Sequence, residues 1–160
     1  MLIVGCGCRG RALARALIAD GHAVRGTTRD PGRAEVIRAA GAEPYVGDPD
    51  RVGTIMGAWA GVTVVCWLLG SARGDAETVA ALQGPRLRTT FEELVDTPVR
   101  GVVYEAAGTA PGEVLARGLE VARAAHETWR IPLAVLDADP DEHERWLGDA
   151  RAAVEGLLAR

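Results

Sequence analysis

The sequence predicts a doubly wound α/β fold, a parallel sheet with helices on both faces, and three observations carry that expectation. Short β-type runs alternate with amphipathic helical segments six times, with no low-complexity stretch and no linker. The run 62–69 is almost wholly apolar, as a strand covered on both faces must be. Gly5-Cys6-Gly7-Cys8-Arg9-Gly10 stands between the first apolar run and the first helical one. Alternating strands and helices force parallel pairing through right-handed crossovers. The expected architecture is therefore a Rossmann-type sheet of about six strands in the order 3-2-1-4-5-6, in one domain spanning residues 1–160.

Each element follows from local chemistry. Residues 2–4 read as the first strand. Residues 9–20 read as the first helix, with Leu13, Ala16 and Leu17 facing inward and Arg11 and Arg15 outward. Gly21 stops that helix, 22–27 form the second strand, and Pro31 opens a helix that Gly41 ends. Residues 43–46 make the third strand. Asp48 is placed to cap a short helix with Pro49 at its first position, reaching about residue 59. After the fourth strand, 62–69, helical pieces at 75–82 and 90–95 are separated by Gly84-Pro85. Residues 99–105 are the fifth strand, Pro111 starts a helix to about residue 128, and 131–136 are the sixth strand. Pro140 begins a last helix, on which Trp146, Leu147, Ala150, Val154, Leu157 and Leu158 recur at helical spacing. In such a sheet ligands bind at the carboxyl ends of strands one and four.

The glycine hexapeptide is what gives that crevice a chemistry. Gly5 leaves the strand in a tight turn, Gly7 lets the backbone approach a diphosphate, and Gly10 lets the helix pack on the strand. The diphosphate then rests on the free N–H groups and positive dipole end of the following helix. Cys6, Cys8 and Arg9, between the glycines, belong to the same turn. The second strand ends Gly26-Thr27-Thr28-Arg29, where an NAD-specific fold carries an acidic residue. Two hydroxyls and a planar guanidinium suit a 2′-phosphate, with Arg9 as a second positive charge near the diphosphate, so NADP is expected over NAD. Asp30 lies at the spacing of the ribose-reading carboxylate, but Asp30-Pro31 reads as a helix cap and first residue.

Composition excludes other classes. A net charge of −4 offers no basic surface for nucleic acid, no apolar run reaches membrane-spanning length, and no leader precedes Met1, so a cytoplasmic location is expected. Three cysteines without nearby histidine give neither a disulfide framework nor a zinc site, and no metal is expected. Cys6 or Cys8, at a helix start where the dipole lowers a thiol pKa, is a candidate redox-responsive group. All 18 basic residues are arginine, so any mechanism that needs a lysine is excluded.

The glycine turn with Arg11-Ala12-Leu13 and Ala16-Leu17, followed by the stretch from Gly21-His22 to Asp30-Pro31, resembles the opening of atypical and extended short-chain dehydrogenase/reductases, the epimerase-like and NmrA-like NAD(P)-binding proteins. The resemblance covers residues 1–108 and fades beyond. It implies that Asp48 lies against the adenine, and that Trp67 and Leu68, at the end of strand four, lie near the cofactor ribose. It also implies a catalytic Tyr-x-x-x-Lys pair and a serine or threonine at the end of strand five, and here the chain departs: no lysine exists, and Ala106 and Ala107 follow Tyr104-Glu105. Extended members add a substrate domain after strand six, whereas this chain ends one helix later.

Tyr104 and Glu105 are the remaining candidates for proton transfer. A buried tyrosine bonded to a backbone group is the alternative for Tyr104, and an arginine partner would make Glu105 structural. Trp67 either lines the nicotinamide pocket or packs; Ser71 and Arg73 lie in a polar loop over the crevice. His22, His126 and His143 read as inert, and Trp129 and Trp146 as core or subunit contacts. The expected function is NADP(H) binding with direct hydride transfer to a small acceptor such as a flavin or quinone. The rival is a non-catalytic NADP(H)-sensing module of the NmrA-like kind. A homodimer is expected through the helices flanking strands five and six, the last of which carries a long apolar stripe, unless that stripe covers the chain's own sheet.

Overall fold

Six short strands, β1 (Leu2–Val4), β2 (Arg25–Thr28), β3 (Glu43–Val46), β4 (Val64–Trp67), β5 (Gly101–Glu105) and β6 (Leu133–Leu136), lie in one sheet ordered β3-β2-β1-β4-β5-β6. Every pairing is parallel. The computed structural model describes all of Met1–Arg160. Between the strands run α1 (Cys8–Ala19), α2 (Ala34–Ala39), α3 (Ala76–Gln83), α4 (Pro85–Leu94), α5 (Gly112–Trp129) and α6 (His143–Leu158).

Because side chains alternate across a strand, the sheet divides the core in two. Leu2, Val4, Val65, Trp67, Val102 and Tyr104 face α3, α4 and α5, where Leu82, Leu87, Phe91 and Ala122 meet them. Ile3, Val64, Cys66 and Val103 face α1, α2 and α6, against Leu13, Leu17, Ile37, Trp146 and Val154. The apolar stripe of α6 is consumed in this second cluster: Trp146, Ala150, Val154 and Leu157 are all buried within the chain. It covers the chain's own sheet and is not a free face for a second copy.

Several elements differ from the sequence expectation; α4 starts at Pro85 and not at residue 90, and the helix expected from Pro31 opens as a 3-10 turn before α2. β2 begins at Arg25 rather than residue 22, because β1 and β3 offer register partners only from there on. The segment after Asp48 is not an α-helix but two 3-10 turns, Val52–Thr54 and Met56–Trp59. Its backbone is captured by side chains: an Asp48 carboxylate oxygen accepts the Asp50 N–H at 3.0 Å, and the Thr54 hydroxyl accepts the Asp48 N–H at 2.8 Å. Asp48 therefore shapes a turn and caps no helix. α6 starts at His143 and not at Pro140, since Asp139 binds the N–H groups of Asp141 and Glu142 in a turn of its own.

The two sheet edges carry their own stops. β3 contains Pro44, which has no N–H to donate, and β6 is four residues long between Pro132 and Asp137.

The β1–α1 turn lies close against β2. A Cβ on Gly26 would stand 2.5 Å from the Cys6 sulfur, 2.9 Å from its Cβ, which is fixed to the backbone, and 3.2 Å from Ile37 Cγ2. Gly26→Ala is expected to destabilise the chain by about 1–3 kcal/mol, as overpacking does. The urea midpoint checks this; an unchanged midpoint shows that the turn can yield.

Candidate functional site

The chain leaves β1 through Gly5, whose φ of +84 is in the left-handed region and whose added Cβ would lie 2.6 Å from the Leu68 carbonyl oxygen. The Gly5 N–H donates to the Thr27 hydroxyl at 3.2 Å and the Cys6 N–H to the Thr27 carbonyl at 3.2 Å, so the end of β2 holds the turn in shape. Gly7 is the N-cap of α1 and offers no side chain to its N–H groups; a Cβ there would meet nothing within 4 Å. Gly10 is the opposite case, with Gly5 oxygen 3.0 Å and Ile3 Cγ2 3.1 Å from where its Cβ would be. Gly7 keeps space open, Gly5 lets the turn pass against the end of β4, and Gly10 lets α1 pack on β1.

Above this turn lies a crevice of about 600 Å³, within the range of small-molecule sites. All of Gly5, Cys6, Gly7, Cys8, Arg9 and Gly10 line it. On the β2 side stand Thr27, Thr28, Arg29, Asp30 and Arg33; Asp48 closes that end, and Leu68, Leu69, Ser71, Ala72, Arg73, Leu82 and Glu105 form the other. The open end of α1, without a capping side chain, fits a diphosphate, and the lining residues that flank it, from the end of β2 to the end of β5, suit a dinucleotide.

At the β2 end the charges are free. Arg29 and Arg33 are exposed and enter no ion pair. The Asp30 carboxylate accepts the Gly32 N–H at 2.8 Å and caps the 3-10 turn Pro31–Arg33. The Thr28 hydroxyl accepts the Asp30 N–H at 3.2 Å. Arg33, in the 3-10 turn that follows Arg29, falls inside the second helix the sequence predicts and carries no signal of its own there.

At the β5 end the charges are paired. Glu105 has no exposed surface. Its Oε2 accepts the Gly70 N–H at 2.8 Å, its Oε1 accepts the Trp146 indole N–H at 3.1 Å, and an Arg9 nitrogen lies 3.5 Å away. Arg9 also donates to the Ser71 hydroxyl at 2.9 Å and stacks 5.6 Å from the Trp146 ring. Arg9, expected beside the diphosphate, lines the crevice with its guanidinium shared among Ser71, Glu105 and Trp146. Burial pushes the Glu105 carboxyl above its ordinary range, opposed by Arg9 and the two N–H donors. Of the two readings of Glu105, the arginine-paired one is the geometry found.

Tyr104 is sealed in the core, its hydroxyl set between Gln83 Oε1 at 3.0 Å and the Leu115 carbonyl at 3.1 Å. Burial raises its pKa further from neutrality. It does not line the crevice, and a proton-donor role is excluded by position. Trp67 is likewise fully buried on the α3–α5 side, in register with Val4 and Tyr104, and the ribose contact expected of it is not available; Leu68, next in the chain, does line the crevice. Gln83, which links Tyr104 to the Leu69 carbonyl at 2.8 Å, is not singled out by the sequence because it closes α3 just past the predicted helical piece, next to Gly84. Cys6 faces β2, and burial pushes its thiol up to about 11, against the lowering expected at a helix start. Cys66 is pushed up to about 12 in the same way. Only Cys8 is exposed. His126 Nδ1 lies 2.8 Å from the Ile131 carbonyl, joining the end of α5 to the next loop, far from the crevice. No group of residues suited to hold a metal is present, and no helix is long and apolar enough to cross a membrane.

Comparison with known proteins agrees with this geometry. A family model described as NAD(P)H-binding matches residues 5–128. No curated protein sequence matches the chain. Among solved structures it is similar to a short-chain dehydrogenase/reductase superfamily protein from Agrobacterium tumefaciens with bound NAD, with 22% identity, a TM-score of 0.69, and coverage of 99% of this chain and 62% of that one. Triphenylmethane reductase from Citrobacter sp., complexed with NADP(H), is 17% identical with a TM-score of 0.63 over 84% of this chain and 48% of that one. UDP-glucuronic acid 4-epimerase from Bacillus cereus, in complex with UDP-glucuronic acid and NAD, is 14% identical with a TM-score of 0.67 over 84% of this chain and 54% of that one. The chain thus spans about half to three fifths of the length of these proteins.

Glu105 generates a pH signature. Its carboxyl stands above the ordinary 4.5 in the folded chain and near it in the unfolded one. Between those values the folded chain holds a proton that the unfolded chain has released, so this group's contribution to stability falls as pH climbs through the window. Urea titrations from pH 4 upward are expected to show that slope in the unmodified chain and its loss in Glu105→Gln. Parallel pH profiles for the two chains would mean that Arg9 and the N–H donors balance burial, and a slope of opposite sign that they outweigh it.

Proposed function

The chain belongs to the NAD(P)H-binding family, and on that premise we propose that it binds NADP(H) in preference to NAD(H) and passes hydride directly to a small planar acceptor, a flavin or a quinone. The observation that carries the cofactor reading is the uncapped N-terminus of α1 opening into the crevice over Gly7. Preference for the 2′-phosphate rests on Arg29 and Arg33, two unpaired guanidiniums on one side of the turn, with Thr28 between them and the glycines. Asp30 does not oppose it, since its carboxylate is committed to Gly32. Asp48, half-buried at the far end of the crevice, is assigned to the adenine side.

Direct transfer is favoured over carbonyl reduction because the crevice holds no free proton donor of the usual kind. There is no lysine, and Tyr104 is out of reach. A quinone or flavin asks little of a protein acid: the nicotinamide supplies hydride, and the chain's task is to hold the acceptor in contact and exclude water. The apolar side chains of Leu68, Leu69, Ala72 and Leu82 suit a flat ring at that end. The same lack of a donor supports a second reading, a non-catalytic module that senses NADP(H). Turnover of quinones and flavins by the NADPH-loaded chain, against none, separates the two.

Arg29→Ala is expected to weaken NADPH binding about ten- to a hundredfold, one charge-assisted contact to a phosphate, and to leave NADH binding nearly unchanged. Fluorescence titration with both cofactors reads this. Equal losses, or tighter binding of NADH by the unmodified chain, would reverse the assignment to Asp30.

Cys8 gives an independent check on where the cofactor lies. A thiol reagent is expected to modify Cys8 quickly and Cys6 and Cys66 only on unfolding, and saturating NADPH should slow the Cys8 reaction at least tenfold. Mass spectrometry of the alkylated chain gives the sites; a Cys8 rate indifferent to NADPH places the diphosphate elsewhere.

A further inference from the structure

Ser71, the only serine in the chain, stands in the loop between β4 and α3 and lines the crevice beside Ala72. Its oxygen accepts two hydrogen bonds, from an Arg9 terminal nitrogen at 2.9 Å and from the Thr109 N–H at 3.1 Å. Both lone pairs are then taken, and the remaining tetrahedral position carries the hydroxyl proton. No acceptor in the chain receives that proton. The hydroxyl is therefore a donor without a partner at the wall of a crevice. Its oxygen accepts a bond from a cation, which strengthens the O–H as a donor. Glu105, fully buried behind Arg9, fixes the direction of that cation.

The geometry points to Ser71 as the group that binds the oxygen of the acceptor and stabilises the negative charge that develops there on hydride transfer, and it points to a quinone as the acceptor. This rests on the NADP(H) reading above. The nicotinamide supplies two electrons and one proton as hydride. A quinone that receives it is left with one ring oxygen as an oxyanion, and a proton from water completes the hydroquinone. Ser71 gives up no proton in this scheme. It donates a hydrogen bond that is stronger to the oxyanion than to the neutral carbonyl, which is the condition for lowering the barrier. Arg9 and Glu105 act through Ser71 and are positioning residues. Leu69, Ala72 and Leu82 supply apolar surface for the ring.

The test uses an aryl oxyanion in place of the reaction product. 4-Nitrophenol is titrated with the NADP⁺-loaded chain over a range of pH, and its absorbance gives the affinity of the phenolate and of the neutral phenol separately. The unmodified chain is expected to favour the phenolate about tenfold or more, the worth of one hydrogen bond to a charged group. Ser71→Ala should abolish that preference and Ser71→Thr, which keeps the hydroxyl, should retain most of it. Single-turnover hydride transfer to a benzoquinone should fall in parallel for Ser71→Ala. NADPH affinity, measured alongside, reports whether the crevice is intact. A Ser71→Ala chain that binds NADPH and still favours the phenolate overturns the assignment; so does an Arg73→Ala chain that alone loses the preference. An unmodified chain that fails to bind NADPH overturns the cofactor reading and this inference with it, and the cofactor titration shows which has failed.

Discussion

A carboxylate with no exposed surface, Glu105, has to be satisfied where β5 ends, and the crevice is arranged around how that is done. Its donors come from three places far apart in sequence: Gly70 in the loop after β4, Trp146 on α6 and Arg9 at the start of α1. Each belongs to an element that forms or backs the crevice. Fixing one carboxylate thus fixes the turn after β1, the loop after β4 and the packing of α6 relative to one another. Arg9 extends the network to Ser71, and Ser71 to the Thr109 N–H, so the loop after β5 is tied in as well. Leaving a buried charge with one partner removed is costly, which makes the set cohere more tightly than any one bond in it.

The crevice therefore has two ends of different character. Around Arg29 and Arg33 the cations are exposed, unpaired and backed by a carboxylate already spent on Gly32. Around Arg9 the cation is partly buried, paired and stacked on Trp146. An exposed guanidinium can reorganise around a phosphate; a paired one holds its neighbours still. The uncapped start of α1 lies between them and supplies positive potential with no side chain at all.

Much of this was legible in the sequence, and what was not has physical causes. Strand order, the parallel sheet and the glycine turn follow from periodicity and from three glycines in a fixed context, because those are local signals. Asp30 as a cap was readable from Asp-Pro, and it is one. The segment after Asp48 misled because Asp-Pro also opens helices, while Thr54, six residues on, takes the backbone groups that a helix would have used. Trp67 misled for a different reason. The sequence placed it near the strand end, although β4 stops at Trp67 and not at residue 69, but did not give its face: alternation sends residue 67 to the core and 68 to the crevice. The Glu105–Arg9–Ser71 set spans 96 residues of chain from Arg9 to Glu105, and no spacing rule reports a contact of that kind. Only the oddity of a carboxylate at the end of a buried strand pointed to it.

The borders of the sheet have a bearing on how the molecule behaves when crowded. A parallel sheet of this kind ends in two strands with one side of the backbone unpaired, and such rows invite other chains to add on. In β3 the row is broken by Pro44, and β6 is short and lies between Pro132 and Asp137. Val46 and Val135 are exposed on these strands, so the apolar surface for lateral growth is present while the continuous ladder for it is not. Once folded, the sheet thus offers another chain only short, interrupted edges on which to add a strand.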